Sequence, residues 1–183
     1  MDDPEPLTLE IPGLRLAALA WGPADGLPLL AVHGWLDNAA SFARLAPLLP
    51  GVRLVAVDLP GHGLSEHRPP GAAYHFIDWA VDLAAAGEAL GWERYVLLGH
   101  SMGAGVVSLL AGALPERVVA LALIEGLGPM ACEADEAPAR LAKAILRRDA
   151  RERKRPRRRG CARSTRTWAR RRPACSSSGA LAR

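Results

Sequence analysis

Short, uninterrupted apolar runs recur along the chain, and each ends at a turn signal. The runs of this kind cover residues 27–32, 52–57, 95–98 and 118–124. Continuous aliphatic stretches of this length are typical of parallel strands that are buried on both faces. Apolar and other residues alternate instead in 7–11 and 14–20, on either side of Pro12 and Gly13. That alternation predicts a β-hairpin.

Segments with helical spacing separate the apolar runs. They cover residues 39–49, 76–90, 102–114 and 137–148. The segment 76–90 places Ile77, Ala80, Val81 and Ala84 on one face and is closed by Gly91. Strands that alternate with helices at this pitch indicate βαβ units. We therefore predict an α/β fold, with a mostly parallel central sheet flanked by helices.

Charge divides the chain into two parts. Residues 1–146 carry 17 acidic side chains against 8 basic ones, and residues 147–183 carry 15 basic against 2 acidic. Residues 151–183 contain few aliphatic side chains and show no periodicity, so burial cannot offset the entropy lost on ordering them. We predict an incomplete α/β core over 1–148, including the start of a lid, and a basic, disordered tail over 149–183.

The most specific chemical signal is a G-x-S-x-G pentapeptide centred on Ser101. It follows the apolar run 95–98 and precedes a segment rich in small residues. A serine in such a strand-to-helix turn presents its hydroxyl above the sheet as a nucleophile. The backbone N–H of Met102, at the helix start, is then placed to stabilise an oxyanion. The alternative is a glycine-rich turn with an incidental serine.

Two further glycine-containing blocks follow predicted strands. His33, Gly34 and Trp35 come after the run 27–32, and we predict that the Trp35 backbone N–H is the second oxyanion donor. His33 itself is interpreted as structural. The block that begins at Asp58 contains His62, and both side chains are interpreted as hydrogen-bonded loop supports rather than catalysts.

No cofactor or metal site is predicted. The sequence has neither a Gly-Lys-Ser/Thr phosphate loop nor a G-x-G-x-x-G dinucleotide motif. Its three cysteines, Cys132, Cys161 and Cys175, are too few and too scattered for a zinc site or a disulfide framework. No secretory signal or membrane-spanning run is evident, so we expect a soluble, cytoplasmic protein without a membrane partner. The oligomeric state stays open.

Three blocks together resemble the signature blocks of the α/β-hydrolase superfamily. They read His-Gly-Trp-Leu-Asp-Asn at 33–38, Asp-Leu-Pro-Gly-His-Gly-Leu-Ser at 58–65 and Gly-His-Ser-Met-Gly at 99–103. The sequence of residues 34–42 is similar to that of the serine hydrolase-like branch. The resemblance covers about residues 7–148. It implies a mostly parallel sheet, a helical lid after the sixth core strand, and a triad in the order Ser, Asp or Glu, His.

The resemblance also defines where the sequence departs from the family pattern. Glu125, directly after the run 118–124, occupies one of the family's acid positions, although an ordinary strand-end carboxylate fits there equally. The family places its histidine near the C-terminus, but no histidine follows His100 in this sequence. The family's later strands have no counterpart in the residues that follow, so we expect run 118–124 to be an unpaired sheet edge.

Two explanations of the basic segment remain open. Fifteen cations in 37 residues suit phosphate contacts of a nucleic acid. The same excess of Arg, Ala, Pro, Ser, Gly and Cys also arises from an out-of-frame reading of GC-rich DNA. We favour a truncated or frameshifted sequence, so nucleic acid is not the expected partner.

The leading functional hypothesis is a serine hydrolase that acts on a small ester or related acyl substrate through Ser101. Because the run 118–124 is expected to be an unpaired apolar edge and no histidine base is evident, we expect the chain as written to be poorly soluble or inactive. The alternatives are a non-catalytic remnant or binding protein on the same scaffold, and a protein that associates with nucleic acid through its tail.

Overall fold

The computed structural model describes residues 3–128, 133–143 and 146. The chain divides into two units, Met1–Ala131 and Cys132–Arg183. The first unit contains the sheet. In the second, residues 133–143 and 146 are described, and 137–143 are helical as predicted. The whole predicted tail, 149–183, lies outside the described residues.

A six-stranded sheet forms the centre of the first unit. Its strands are β1 (Glu5–Ile11), β2 (Leu14–Trp21), β3 (Leu27–Val32), β4 (Val52–Val57), β5 (Tyr95–His100) and β6 (Val118–Ile124). They lie in the order β1-β2-β4-β3-β5-β6. The strands β4, β3, β5 and β6 run parallel, whereas the β1–β2 hairpin joins β4 in an antiparallel sense. The predicted fold class and hairpin are confirmed.

Two helices cover one face of the sheet. These are α1 (Phe76–Ala89) and α2 (Met102–Ala113), which pack on each other and on the strands. In β3, Leu30 and Val32 belong to the core on this face, while Leu29 and Ala31 belong to the core on the opposite face. A strand buried on both faces must be apolar at every position, which explains the unbroken runs in the sequence.

The predicted helix over 39–49 is wrong. The structure has two short 3₁₀ helices there, Ala39–Phe42 and Ala46–Leu48. Pro47 has no N–H to donate to the preceding turn, and its ring clashes with an α-helical backbone, so one continuous α-helix cannot form. The two 3₁₀ turns still bury Phe42 and Ala46 on the sheet face opposite α1 and α2.

Strand β6 differs from the other parallel strands in its surroundings. Among residues 3–128 it pairs with β5 alone, and its outer edge has no strand beside it. Val119, Leu121 and Ile124 are 51%, 40% and 41% exposed. The expected unpaired edge is therefore present in the described part of the chain.

Among the described residues, none of the helices combines the length and the apolar composition that crossing a bilayer requires.

Candidate active site

The carboxyl ends of the four parallel strands meet at one edge of the sheet, where sites of α/β proteins commonly form. The loop 33–38 follows β3, and the loop 58–65 follows β4. Ser101 follows β5, and Glu125 follows β6. The topology thus brings together segments that are far apart in sequence.

Ser101 occupies a sharp turn between β5 and α2. Its backbone has φ 51° and ψ −113°, a conformation that L-residues rarely adopt. The Ser101 N–H donates to the carbonyl of Ile124 at 2.8 Å, and the Ala104 N–H donates to the Ser101 carbonyl at 3.0 Å. The turn is therefore held both by the edge strand β6 and by the first turn of α2.

The two glycines of the pentapeptide allow strand, turn and helix to approach closely. A Cβ on Gly99 would lie 2.6 Å from the Cα of Ala104. A Cβ on Gly103 would overlap the backbone carbonyl of Val32, at the end of β3. The G-x-S-x-G spacing is thus a packing requirement of this elbow.

All four residues predicted for the site line one cavity of about 760 Å³. They are Trp35, Ser101, Met102 and Glu125. Phe76 and Leu127 contribute apolar walls to the same cavity. Sequence reasoning missed these two walls, because Phe76 reaches the cavity through the packing of α1 beside α2, which no local pattern reveals.

The loop after β3 lies directly against the elbow. A Cβ on Gly34 would meet the Cβ of Ser101 at 3.4 Å and the Nδ1 of His100 at 3.2 Å. Leu36 has a positive φ of 59°, which turns the chain sharply just after Trp35. Trp35 is 58% exposed at the cavity.

His33 is a structural residue, as interpreted from the sequence. It is fully buried, and its Nδ1 lies 2.7 Å from the carbonyl of Gly34. Its Nε2 accepts the Leu59 N–H at 3.1 Å, so the proton is on Nδ1, which donates to Gly34. Burial holds the pKa of the imidazole below its ordinary value, which favours this neutral form.

Asp58 joins the loops that follow β3 and β4. Its carboxylate accepts the Ala39 N–H and the Leu64 N–H, both at 2.7 Å, and its backbone carbonyl accepts the Ser65 hydroxyl. The His62 ring packs beside the ring of His33, with their centroids 5.1 Å apart. Both Asp58 and His62 are loop supports, in agreement with the sequence interpretation.

Glu125 lies at the end of the edge strand, with a φ of 52°. Its side chain is 81% exposed, and its Oε2 lies 3.8 Å from the Nε2 of His100. The sequence interpretation overlooked His100, although it directly precedes Ser101 in the pentapeptide. Within residues 3–128, no histidine hydrogen-bonds to the Ser101 hydroxyl.

Comparison with known proteins identifies the family of this architecture. The profile of the family described as alpha/beta hydrolase fold matches residues 28–172. A solved structure of a hypothetical protein from Pseudomonas aeruginosa PAO1 is 55% identical and superposes with a TM-score of 0.74. The superposition covers 82% of this chain and 54% of that one.

Curated relatives lead to a specific branch of the family. A serine hydrolase-like protein of Danio rerio is 43% identical over 121 residues, which are 66% of this chain and 37% of the relative. Serine hydrolase-like protein 2 of Homo sapiens is 44% identical over 120 residues, or 65% of this chain and 38% of the relative. The chain thus spans well under half the length of either relative. It belongs to the α/β-hydrolase fold family, in its serine hydrolase-like branch.

Proposed function

We propose that Ser101 is the nucleophile of a hydrolase that acts on a small ester or related acyl substrate. The observation that carries this proposal is the strained serine elbow at the β5–α2 junction, which opens into the 760 Å³ cavity. The structure holds an unfavourable backbone conformation at this one serine, and such strain is concentrated at functional sites.

In the proposed reaction the Ser101 hydroxyl attacks the substrate carbonyl, and negative charge develops on the carbonyl oxygen. The backbone N–H groups of Met102 and Trp35 stabilise that charge. Met102 is the first residue of α2, so its N–H is one of the donors without a partner inside the helix, and the helix dipole adds to its effect. The loss of one such donor costs on the order of 3 kcal/mol in the transition state.

The cavity supports a neutral, apolar acyl group as the substrate portion held beside the serine. Among the described residues, Phe76, Met102 and Leu127 contribute apolar side chains to the cavity lining. Glu125 places a carboxylate among the same lining residues, which disfavours an anionic group there. We assign Glu125 a role as the acid of the site, consistent with its position at the end of β6.

Activation of the serine is the weak step in this 183-residue chain. A serine hydroxyl is a poor nucleophile unless an adjacent base accepts its proton. The five histidines precede Ser101 in sequence, and none of them hydrogen-bonds to its hydroxyl within residues 3–128. We therefore expect slow acylation and little turnover by this chain alone. The same observation favours a second candidate function, the non-catalytic binding of an acyl compound in the cavity.

A serine-directed fluorophosphonate tests the proposal when its adduct is measured by intact-protein mass spectrometry. We expect a single adduct on the wild-type chain and none on the Ser101→Ala variant. Added imidazole should accelerate p-nitrophenol release from p-nitrophenyl butyrate in the wild type beyond its effect on that variant, since it can act as the missing base.

The outcomes separate the two candidate functions. Equal labelling of the wild type and the variant would refute Ser101 as the nucleophile. Absence of labelling, together with saturable binding of a fluorescent fatty acyl probe, would instead support the binding function. Fast turnover without imidazole would contradict the expected weakness of serine activation.

A further inference from the structure

We propose that the outer edge of β6 pairs with the same edge of a second copy of this chain, in an antiparallel sense about a twofold axis at Ala122. The pairing continues the six-stranded sheet across the interface. It is independent of the chemistry proposed for Ser101.

The two edges of the sheet differ in how well they resist strand pairing. Edge strand β1 carries Glu5, Pro6 and Glu10, and charges and proline are the usual protection of an exposed edge. Strand β6 reads VVALALI and has neither a charge nor a proline. The adjacent helix α2 is also free of charged residues. The β6 edge is therefore the one suited to self-association.

The hydrogen bonds between β5 and β6 determine which backbone groups of β6 face outward. Because Ser101 donates to the carbonyl of Ile124, the residues at 120, 122 and 124 direct their backbone groups towards β5. By alternation, the N–H and C=O groups of Leu121 and Leu123 point away from β5. An irregularity in the β5–β6 register precedes Ala120, so the regular segment is 120–124.

This arrangement fixes the register with the second copy. An axis at Ala122 places Leu121 opposite Leu123 of the second copy, and these two residues exchange both hydrogen bonds. The reciprocal pair forms two more, so all four outward-facing donors and acceptors of each regular segment are satisfied. Displacement of the axis to Leu121 would place Leu123 opposite the irregular position at Val119 and leave its backbone groups unpaired.

Side chains support the same pairing. Leu121 and Leu123 share one face of β6, and Leu123 packs on the core below α2. Pairing would bring the two leucines of each copy together and bury the exposed 40% of Leu121. Three strand spacings, or about 14 Å, would separate β5 from its counterpart, which exceeds the 8–10 Å typical of packed helices and leaves room for both α2 helices.

Charge favours the antiparallel sense, and the twofold match of the outward-facing residues favours a second copy as the occupant. Arg117, which precedes β6, already pairs with Glu88 at 2.9 Å, whereas the Glu125 side chain, which follows β6, is 81% exposed. A parallel pair would place the two Glu125 carboxylates side by side, and an antiparallel pair puts them at opposite ends of the interface. Like charges across paired strands are destabilising.

Disulfide trapping tests the register with two closely matched variants. In a background with Cys132, Cys161 and Cys175 changed to serine, Ala122→Cys places two thiols in a non-hydrogen-bonded pair with Cα atoms about 4.5 Å apart, within disulfide range. Ala120→Cys, on the same face of the same strand, leaves its thiols about 13 Å apart along the strand. We expect oxidation to give a covalent dimer for the first variant and a monomer for the second.

Light scattering coupled to size-exclusion chromatography tests dimer formation without any introduced cysteine. We expect the unmodified chain to approach twice its 19.4 kDa mass as its concentration rises. Leu121→Lys should weaken the dimer by about tenfold or more, because it puts two cations into the leucine cluster. Val81→Lys, at a 63% exposed position on α1, adds the same charge elsewhere and should leave the dimer intact.

The proposal is overturned if the chain stays monomeric at every concentration. That result would mean either that its own residues 147–183 cover the β6 edge or that the edge stays open in solution. The proposal is also overturned if open-ended aggregates form, if a foreign protein occupies the edge, or if Ala120→Cys cross-links as well as Ala122→Cys. Circular dichroism of both lysine variants confirms that a loss of the dimer is not a loss of the fold.

Discussion

Strands β3 and β6 have similar aliphatic sequences, but they lie in different environments. Both are short aliphatic runs without a charged residue, and both run parallel to β5. The last four residues of β3 are buried, whereas no residue of β6 is. Apolar composition predicts that a strand forms, but burial depends on its neighbours in the sheet order.

The same contrast recurs in the carboxylates that follow the strands. Asp58, after the central strand β4, is buried and accepts two backbone N–H groups. Glu125, after the edge strand β6, is largely exposed and has one distant contact with His100. A carboxylate one residue beyond a strand is thus a structural support at the centre of the sheet, and at the edge it is available for chemistry.

Truncation of one leucine in each strand tests the contrast most strongly. Leu30→Ala in β3 should lower the free energy of unfolding by about 2–5 kcal/mol, because Leu30 is fully buried between strands and helices. Leu121→Ala in β6 should lower it by about 1 kcal/mol or less, since the side chain is already partly in water. Urea denaturation of dilute protein, with the m-value checked for constancy, measures both. Equal losses would mean that something covers β6 in solution.

Replacement of each carboxylate by its amide tests the second contrast. Asp58→Asn should cost about 2 kcal/mol, because Ala39 and Leu64 donate to different carboxylate oxygens, and the amide nitrogen that replaces one of those oxygens cannot accept the N–H bonded there. Glu125→Gln, an equally conservative change at an exposed position, should alter stability by less than about 0.5 kcal/mol. Thermal melts of the two variants at one pH provide the comparison. A large loss for Glu125→Gln would assign that side chain a structural role.

The sequence was sufficient for the parts of the fold that depend on local pattern. The bounds of β3, β4 and β6 agree with the predicted runs, and the elbow at Ser101 forms where the glycine spacing predicts it. The resemblance to a known family supplied what pattern alone could not, namely the exposed edge at β6.

Long-range contacts account for what the sequence did not reveal. Phe76 lies at the start of α1, and nothing nearby in sequence indicates that it lines the cavity with Ser101. The contact between His100 and Glu125 depends on the pairing of β5 with β6. The 3₁₀ turns at 39–48 replace the predicted helix because the apolar periodicity of this segment does not reveal that Pro47 interrupts an α-helical backbone.

The elbow at Ser101 connects the centre of the sheet with its edge. The edge strand β6 holds the backbone of the candidate nucleophile through the hydrogen bond from the Ser101 N–H to the Ile124 carbonyl. Ser101→Gly should raise the free energy of unfolding by about 1 kcal/mol, since glycine relieves strain of about 1–3 kcal/mol and loses about 0.5–1 kcal/mol through its greater freedom when unfolded. Ser101→Ala keeps the Cβ and should give no comparable gain.

Ser108 in α2 provides the matched control for the change in unfolding free energy expected of Ser101→Gly. Its hydroxyl donates to the carbonyl of Ala104 within an ordinary helical turn, so Ser108→Gly should lower stability by about 0.5–1 kcal/mol. Calorimetric melts should therefore rank Ser101→Gly above the wild type and Ser108→Gly below it. If glycine destabilises both positions alike, the elbow is not strained, and the positive φ of Ser101 loses its value as evidence for a nucleophile.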